Sequence, residues 1–432
     1  MPNDGRRIVV VASGEREFRE YLLRGVAAVC PVHLVDVQEP TWQRPYLASW
    51  TVVADTDATS VVTAVRRLAA EHQVLGVLTW HEEHVVQAAL AAAELGLPGP
   101  SVVAAERCRD KLLTRTALAA AGCPQPIFAV ARDVEEALAA ADAIGWPVVI
   151  KPRASGGSIG VVLAADADEL AVRFAGTQDV PVRFAPEADG GVLVEEYLDG
   201  PEITVDSIVQ GGTVTPVFLG RKRLAHAPYF EEMQHVVSHH EPLLRDPSFT
   251  RLLADVHTAL GFVDGWTHAE LRLTAAGPRV IEVNGRLGGD LIPLLGMRAS
   301  GIDPAQLVAR VACGEPVSLA PTVEGYAAVR FLYPPQGRGL VRHLSFDRVG
   351  VPPEVDDLVP LAAEGSVVAP PENAVVLGRV ALVTARGATV EGCRAALDAG
   401  AAALRLAVDD VPEAWVDADA PGHGHGHGHG QG

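Results

Sequence analysis

The chain has 432 residues, 48% hydrophobic and 21% charged, enough for two to four domains at roughly 100–200 residues each and too long for a disulfide-stapled module. No run approaches the ~20 apolar residues of a membrane span. A net charge of −19, from 35 basic and 54 acidic residues, repels phosphate backbones and anionic lipid and argues against a nucleic-acid or membrane role.

In chain order, Arg6 and Arg7 precede an apolar run that stops at Ser13, which predicts a strand at Ile8–Ala12 in a cytoplasmic protein rather than a secretory leader. Strands Val32–Val37, Thr51–Val53 and Val74–Thr79 alternate with helical stretches Ala58–His72 and His84–Leu95, the pattern of a parallel, helix-covered sheet. Pro98-Gly99-Pro100 ends this first domain, residues 1–100, and Ser101 is placed to cap the next helix. Residues 101–318 carry helices Asp110–Ala121 and Val134–Ile144, strands Ile127–Val130, Val148–Ile150, Val161–Ala164 and Val192–Tyr197, and the Gly211-Gly212 turn between Ile203–Val209 and Val214–Leu219. A helix near Pro247–Leu260, strands His268–Leu273 and Val280–Asn284, and a helix at Pro304–Cys313 follow. The hairpins make this domain α+β with an antiparallel sheet. Pro pairs among short β-rich runs predict a small β-rich domain at 319–411, and the Gly/His alternation within 412–432 predicts a disordered tail. Such a tail is native low-complexity sequence, a Zn²⁺ or Ni²⁺ binder, or an added purification device. The five cysteines, Cys30, Cys108, Cys123, Cys313 and Cys393, lack a C-x-x-C pair and read as reduced thiols.

Only three of the basic residues are lysines, Lys111, Lys151 and Lys222. Where Arg is the generic surface cation, a compact three-donor ammonium marks positions for phosphate oxygens, compositional bias being the alternative. Lys151 leaves its strand beside Ala154-Ser155-Gly156-Gly157-Ser158-Ile159-Gly160, whose glycines let backbone N–H groups wrap an anion such as a triphosphate. The loop joins two strands and is neither a P-loop nor a dinucleotide fingerprint. Glu195-Glu196-Tyr197-Leu198 and then Glu202 form a strand edge suited to an adenine amine and a ribose, although acids leaving a strand are commonly just solvated. Glu282 and Asn284 share one strand face, and an antiparallel neighbour sets Glu270 beside them. These hard oxygen ligands suit Mg²⁺, with Mn²⁺ as the alternative ion. Arg286, just beyond, is placed for a transferring phosphoryl group or an oxyanion. The Gly220–Arg223 segment is either a further phosphate or carboxylate contact or a solvated charge run, and His81–His84 reads as cleft lining.

The order of these motifs over residues 1–315 resembles the ATP-grasp superfamily. The resemblance implies an ATP-grasp fold with an N-terminal parallel α/β domain and a small β-rich C-terminal domain. It also implies activation of a carboxylate as an acyl phosphate and capture by an amine. Lys111 and Lys151 would lie on ATP phosphates with the loop residues Ser155, Gly156, Gly157 and Ser158, Glu195 and the backbone of Glu196–Leu198 on adenine, and Glu202 on ribose. Glu270, Glu282 and Asn284 would lie on two Mg²⁺ ions. Glu231-Glu232-Met233-Gln234-His235, the run Glu282–Asp290 and FLYPPQGRG are similar to the L-amino-acid ligases that make dipeptides and to carnosine synthase. That similarity places Glu232 and His235 at the amino-acid site, Arg286 on the phosphorylated intermediate, and Gly288, Gly289 and Asp290 at the first substrate. Asp290 stands where an apolar residue would suit a small substrate, and a buried carboxylate needs a partner. This predicts a substrate with an extra amine or hydroxyl. The Ser155–Gly160 loop is expected to close as a lid. The expected partners are small molecules, an amino acid or other carboxylic acid and an amine, with no nucleic acid and no membrane; a homodimer is left open. The competing readings are an ATP-grasp ligase using ammonia or bicarbonate, and a non-catalytic nucleotide-binding or metal-storage protein.

Overall fold

The computed structural model describes residues 5–181, 191–334, 337–370 and 378–411; the Gly/His tail lies outside them. The first unit runs β1 (Arg6–Val11), α1 (Arg16–Val29), β2 (Val32–Asp36), β3 (Leu47–Val52), α2 (Ala58–Glu71), β4 (Gln73–Leu78) and α3 (Val85–Glu94). Its strands form a parallel sheet in the order β3-β2-β1-β4, as the strand–helix alternation predicts. Asp57 caps α2 by accepting from Ser60 N, and Ser101 caps α4 (Val102–Arg109) by accepting from Ala104 N, satisfying N–H groups that a helix start leaves unpaired.

After α5 (Lys111–Ala120), a small antiparallel sheet is built from β5 (Phe128–Ala131), α6 (Val134–Ile144), β6 (Val148–Pro152), β7 (Val162–Ala164), α7 (Ala167–Gln178) and β8 (Val192–Glu196), in the order β5-β8-β6-β7. The main body continues with β9 (Glu202–Gln210), β10 (Thr213–Ala225), β11 (Glu231–Ser238), α8 (Pro247–Leu260), β12 (Gly265–Thr274), β13 (Gly277–Asn284), α9 (Ile292–Ser300) and α10 (Pro304–Ala312). The last segment comprises β14 (Tyr326–Leu332), β15 (Gly339–Phe346), β16 (Val355–Pro360), β17 (Val367–Val368), β18 (Ala381–Gly387), α11 (Val390–Ala402) and β19 (Leu404–Asp410). This β-rich segment is joined to the central sheet, which β14, β18 and β16 extend in the order β13-β12-β9-β10-β11-β14-β18-β16. Only β17-β15-β19 form a separate sheet there. The join is β11 to β14, where Gln234–Val237 pair with Ala327–Arg330; the apolar face of β14 thus finds a ready sheet edge.

The central sheet is buried on both faces, which explains the near-continuous apolar runs of its strands. Ile208, Phe218 and Trp266 point to a core shared with α1, α9 and α10, while Val205, Leu219 and Leu271 point to one shared with α8. This is the period-2 alternation of a pleated strand. Helix α9 packs so closely on Phe218 that a Cβ at Gly296 would lie 2.5 Å from two ring carbons. The small sheet is tied to α5 by a buried ion cluster. Glu195 on β8 accepts from Arg115 Nε at 2.7 Å and from Lys151 Nζ of β6 at 2.7 Å. Burial alone would raise the Glu195 carboxyl; Arg115 and Lys151 overcome it and hold it at about 2.

Two predictions follow from this packing. Gly296→Ala gains helix propensity but overpacks Phe218, and we expect a net loss of about 1–2 kcal/mol in urea denaturation. The depressed Glu195 stabilises the fold fully above its unfolded pKa of ~4.3, and this contribution is lost as pH falls toward the folded value of about 2. Glu195→Gln is expected to cost about 3–5 kcal/mol at pH 7 by leaving buried cations unpaired. Unfolding curves at pH 7 and at about pH 3 should show the gap between variant and parent narrowing in acid.

Candidate active site

A cleft of about 820 Å³, counting space open to solvent, lies between the small sheet and the central sheet. It is lined by Lys111, Lys151, Ser155, Gly156, Gly157, Ser158, Glu195, Glu196, Tyr197, Leu198 and Glu202 on one side and by Glu232, Glu270, Glu282, Asn284 and Arg286 on the other. Lys111 is the first residue of α5, whose Asp110 cap also receives the Arg153 guanidinium. Its ammonium donates to Ser155 O at 2.6 Å and lies 3.3 Å from Glu282 Oε1. Lys151 is buried, and that burial lowers its ammonium to about 8 despite Glu195. The loop between β6 and β7 takes left-handed φ at Gly157 (64°), Ser158 (57°) and Gly160 (75°), and a Cβ at Gly160 would lie 2.6 Å from Val180 and 2.9 Å from Pro152. These contacts make glycine at 160 a requirement of the backbone.

The carboxylate of Glu195, expected on adenine, is committed to Arg115 and Lys151, so its side chain shapes the cleft from within. Glu202, expected on ribose, accepts from Lys222 Nζ at 3.0 Å and pairs with Arg272 at 3.1 Å. Arg272 itself lies over the rings of Tyr197 and Phe230. The basic triplet resolves into two roles. Arg221 pairs with Glu241 at 2.7 Å, while Lys222, with no side-chain exposure, is surrounded by Glu202, Glu232 and Glu270 at 3.0, 2.8 and 2.8 Å. Burial would lower this ammonium, and the three carboxylates instead hold it well above its usual value.

On β12 and β13 the register sets Glu270 opposite Glu282 and His268 opposite Asn284, as the strand-face argument requires. Glu270, Glu282 and Asn284 all line the first cavity, oxygen donors of the kind a hard cation takes, and the Asn284 amide donates to Glu82 at 2.9 Å and to Glu282 at 3.0 Å. Behind Glu270, buried Asp206 accepts from Trp266 Nε1 at 2.9 Å and contacts His268 Nδ1 at 3.1 Å. Burial disfavours a charged His268, but Asp206 and Glu270 raise it to about 9.

A second cavity opens off the first and shares Gly157, Ser158, Glu232, Glu270 and Arg286 with it. Arg286 is held there by Glu82 at 2.7 Å, which gives the His81–His84 segment a definite role. Gly289 and Asp290 line this cavity, whereas Gly288 packs against His268 and Asp206. His235 is fully buried behind Glu232 and Asp290, each 3.2 Å from its Nε2. Burial opposes its protonation, and these two carboxylates raise its pKa overall. The premise that Asp290 lacks a partner is corrected: Arg379 grips it with Nη1–Oδ1 at 2.6 Å and Nη2–Oδ2 at 3.0 Å. The expectation of a substrate amine or hydroxyl at Asp290 loses its basis. Sequence reasoning placed Glu82 only within a cleft-lining segment, from its position after β4 at the end of a parallel sheet, and missed Arg115, Arg272 and Arg379, which no local signal marks.

Residues 144–293 match the ATP-grasp domain family. The chain is 31% identical over 318 residues to an uncharacterized protein of Sinorhizobium fredii, a match covering 71% of this chain and 63% of that one. It is 27% identical over 322 residues to a D-alanine–D-alanine ligase of Stutzerimonas stutzeri, covering 71% and 93%. The crystal structure of an L-amino acid ligase from Bacillus licheniformis superposes with a TM-score of 0.77 at 22% identity, over 94% of this chain and 99% of that one. None of the helices among the described residues is long and apolar enough to cross a membrane. With its motifs in order around one cleft and these relatives beside it, the chain belongs to the ATP-grasp superfamily of ATP-dependent ligases.

Proposed function

We propose that the protein activates the carboxylate of an amino acid or related acid with ATP, forming an acyl phosphate, and joins it to the amine of a second amino acid with release of ADP and phosphate. The observation that carries this reading is the junction at Arg286, a guanidinium fixed by Glu82 at 2.7 Å where the two cavities meet. A nucleotide in the first cavity and an acid in the second would bring γ-phosphate and carboxylate together at that cation.

Lys111, Lys151 and the loop N–H groups of Ser155–Ser158 hold the phosphates in this reading, and Tyr197–Leu198 with Glu202 form the nucleoside end. Glu270, Glu282 and Asn284 would hold Mg²⁺, which supplies charge neutralisation on the phosphates. The carboxylate oxygen attacks the γ-phosphorus, the bond to ADP breaks, and Arg286 balances charge on the transferring group. The neutral amine nitrogen then attacks the acyl carbon, a tetrahedral oxyanion forms within reach of Arg286, and phosphate leaves with the C–O electron pair and takes up the proton that the nitrogen gives up. Glu232, paired with Lys222 at 2.8 Å and His235 at 3.2 Å, lines both cavities and borders the amino-acid site in this reading. His235 acts through Glu232 as a positioning residue. Excluding water protects the acyl phosphate, a role suited to the glycine loop.

The deciding experiment measures phosphate release from Mg·ATP with amino acids singly and in pairs, with mass spectrometry of the products. The reading expects release that depends on the amino acid and a product mass equal to the two substrates less water. Release driven by ammonia or bicarbonate instead would overturn it. Arg286→Ala is expected to lower kcat about 10²–10³-fold. Glu282→Ala should abolish turnover while circular dichroism stays unchanged, whereas a nucleotide- or metal-storage protein would lose only ligand capacity.

A further inference from the structure

The second cavity is closed by a residue from the far end of the chain. Arg379 precedes β18, and its guanidinium lies over the Phe331 ring with its carbon 3.7 Å from the centroid. It donates to both oxygens of Asp290, to Glu231 Oε1 at 3.2 Å, and to the Glu232 carbonyl at 3.3 Å. Tyr333 donates to the same Glu231 oxygen. Asp290 (φ 50°) and Leu291 (φ 63°) are consecutive non-glycine residues in the left-handed region, a conformation that persists only where the surroundings hold it. The two-point grip of Arg379 is such a hold.

The charges of the cavity wall are thereby matched from within. Asp290 Oδ1 belongs to Arg379, Asp290 Oδ2 is shared with His235, and Glu232 belongs to Lys222 and His235. A cationic substrate side chain entering beside Asp290 finds no unmatched carboxylate there, and it loses its hydration without compensation.

We propose that Arg379 is a specificity-determining positioning residue that masks Asp290 and so makes the amino-acid pocket select uncharged over cationic side chains. This rests on the amino-acid ligase reading above. Arg379→Met would release Asp290 Oδ1 into the cavity, leave Glu231 without its guanidinium, and make the wall more anionic.

The test compares kcat/KM for lysine with that for alanine, each in place of the other as variable substrate, and reads the same ratio from calorimetric binding in the presence of a non-hydrolysable ATP analogue. In R379M the lysine-to-alanine ratio is expected to rise about tenfold or more, the scale of one close charge pair, with KM for ATP within about twofold of the parent. R379K should stay near the parent ratio, and R379M with Asp290→Asn should lose most of the rise, the remainder belonging to Glu231, the second carboxylate that Arg379 pairs. Asp290→Asn alone relieves the guanidinium of one of its two carboxylates and should raise aspartate over alanine instead, which tests the idea even if R379M does not fold. A ratio unchanged in folded R379M, a rise undiminished in the double variant, or no aspartate gain in Asp290→Asn overturns the proposal. Failure of the parent to turn over any amino acid, with the binding ratios shifting as described, would overturn the ligase reading and leave the masking role standing. Parent protein that binds neither amino acid overturns both.

Discussion

One buried ammonium organises the cleft. Lys222 is the residue of β10 on which side chains from three other strands converge: Glu202 of β9, Glu232 of β11 and Glu270 of β12. Three carboxylates packed together without a cation would repel one another at low dielectric, and an ammonium removed from water without them would be equally costly. Each charge is tolerable only because the others are present, so the set behaves as a unit. It draws the cleft-facing side chains of adjacent strands onto one face, and Glu270 of the acid pair proposed to hold Mg²⁺ has its orientation already fixed by Lys222 and His268.

From Lys222 the same logic extends in both directions. Along one branch, Glu232 leads to His235, Asp290 and Arg379; along the other, Glu270 leads to His268 and Asp206. Charges alternate in sign the whole way, so no buried ion in the series lacks an opposite neighbour. This is how a chain of net charge −19 maintains an acid-rich cleft suited to an anionic nucleotide. Interior cations pair these acids, and Lys111, Lys151 and Arg286, which line the cavities, are each held by a carboxylate of their own.

What was legible in the sequence follows from the range of each interaction. Glu282 and Asn284 could be put on one face because they stand two positions apart, and Glu270 could be added because β12 and β13 form a short hairpin. The parallel first sheet was legible because strand–helix alternation is local. Lys222 was ambiguous: a Gly-Arg-Lys-Arg run looks solvated until the register of β10 shows that Arg221 turns to Glu241 while Lys222 turns inward. Arg379 was invisible, since nothing local marks an arginine whose carboxylate partner lies 89 residues away. The β-rich segment was recognised as strands, but its continuity with the central sheet depends on the β11–β14 pairing across residues 239–325, which no local pattern encodes. Helices α1 and α9 were also missed: the charged residues of Arg16–Glu20 masked the apolar stripe Tyr21, Leu22 and Val26, and Pro293 looked like a breaker although it occupies the first turn.

Lys111 joins the glycine loop to the strand face: it donates to Ser155 O at 2.6 Å and approaches Glu282 at 3.3 Å, so one ammonium touches both the loop between β6 and β7 and β13. In the proposed chemistry the charge that Glu282 lends to Lys111 is redistributed once phosphate oxygens arrive, because an ammonium with three donors satisfies a phosphate as readily as a carbonyl. The loop and the acid pair then respond to the same ligand through the same atom. Covering the phosphates and assembling the charge-neutralising face become one event. An acyl phosphate that must meet an amine before it meets water needs that coincidence.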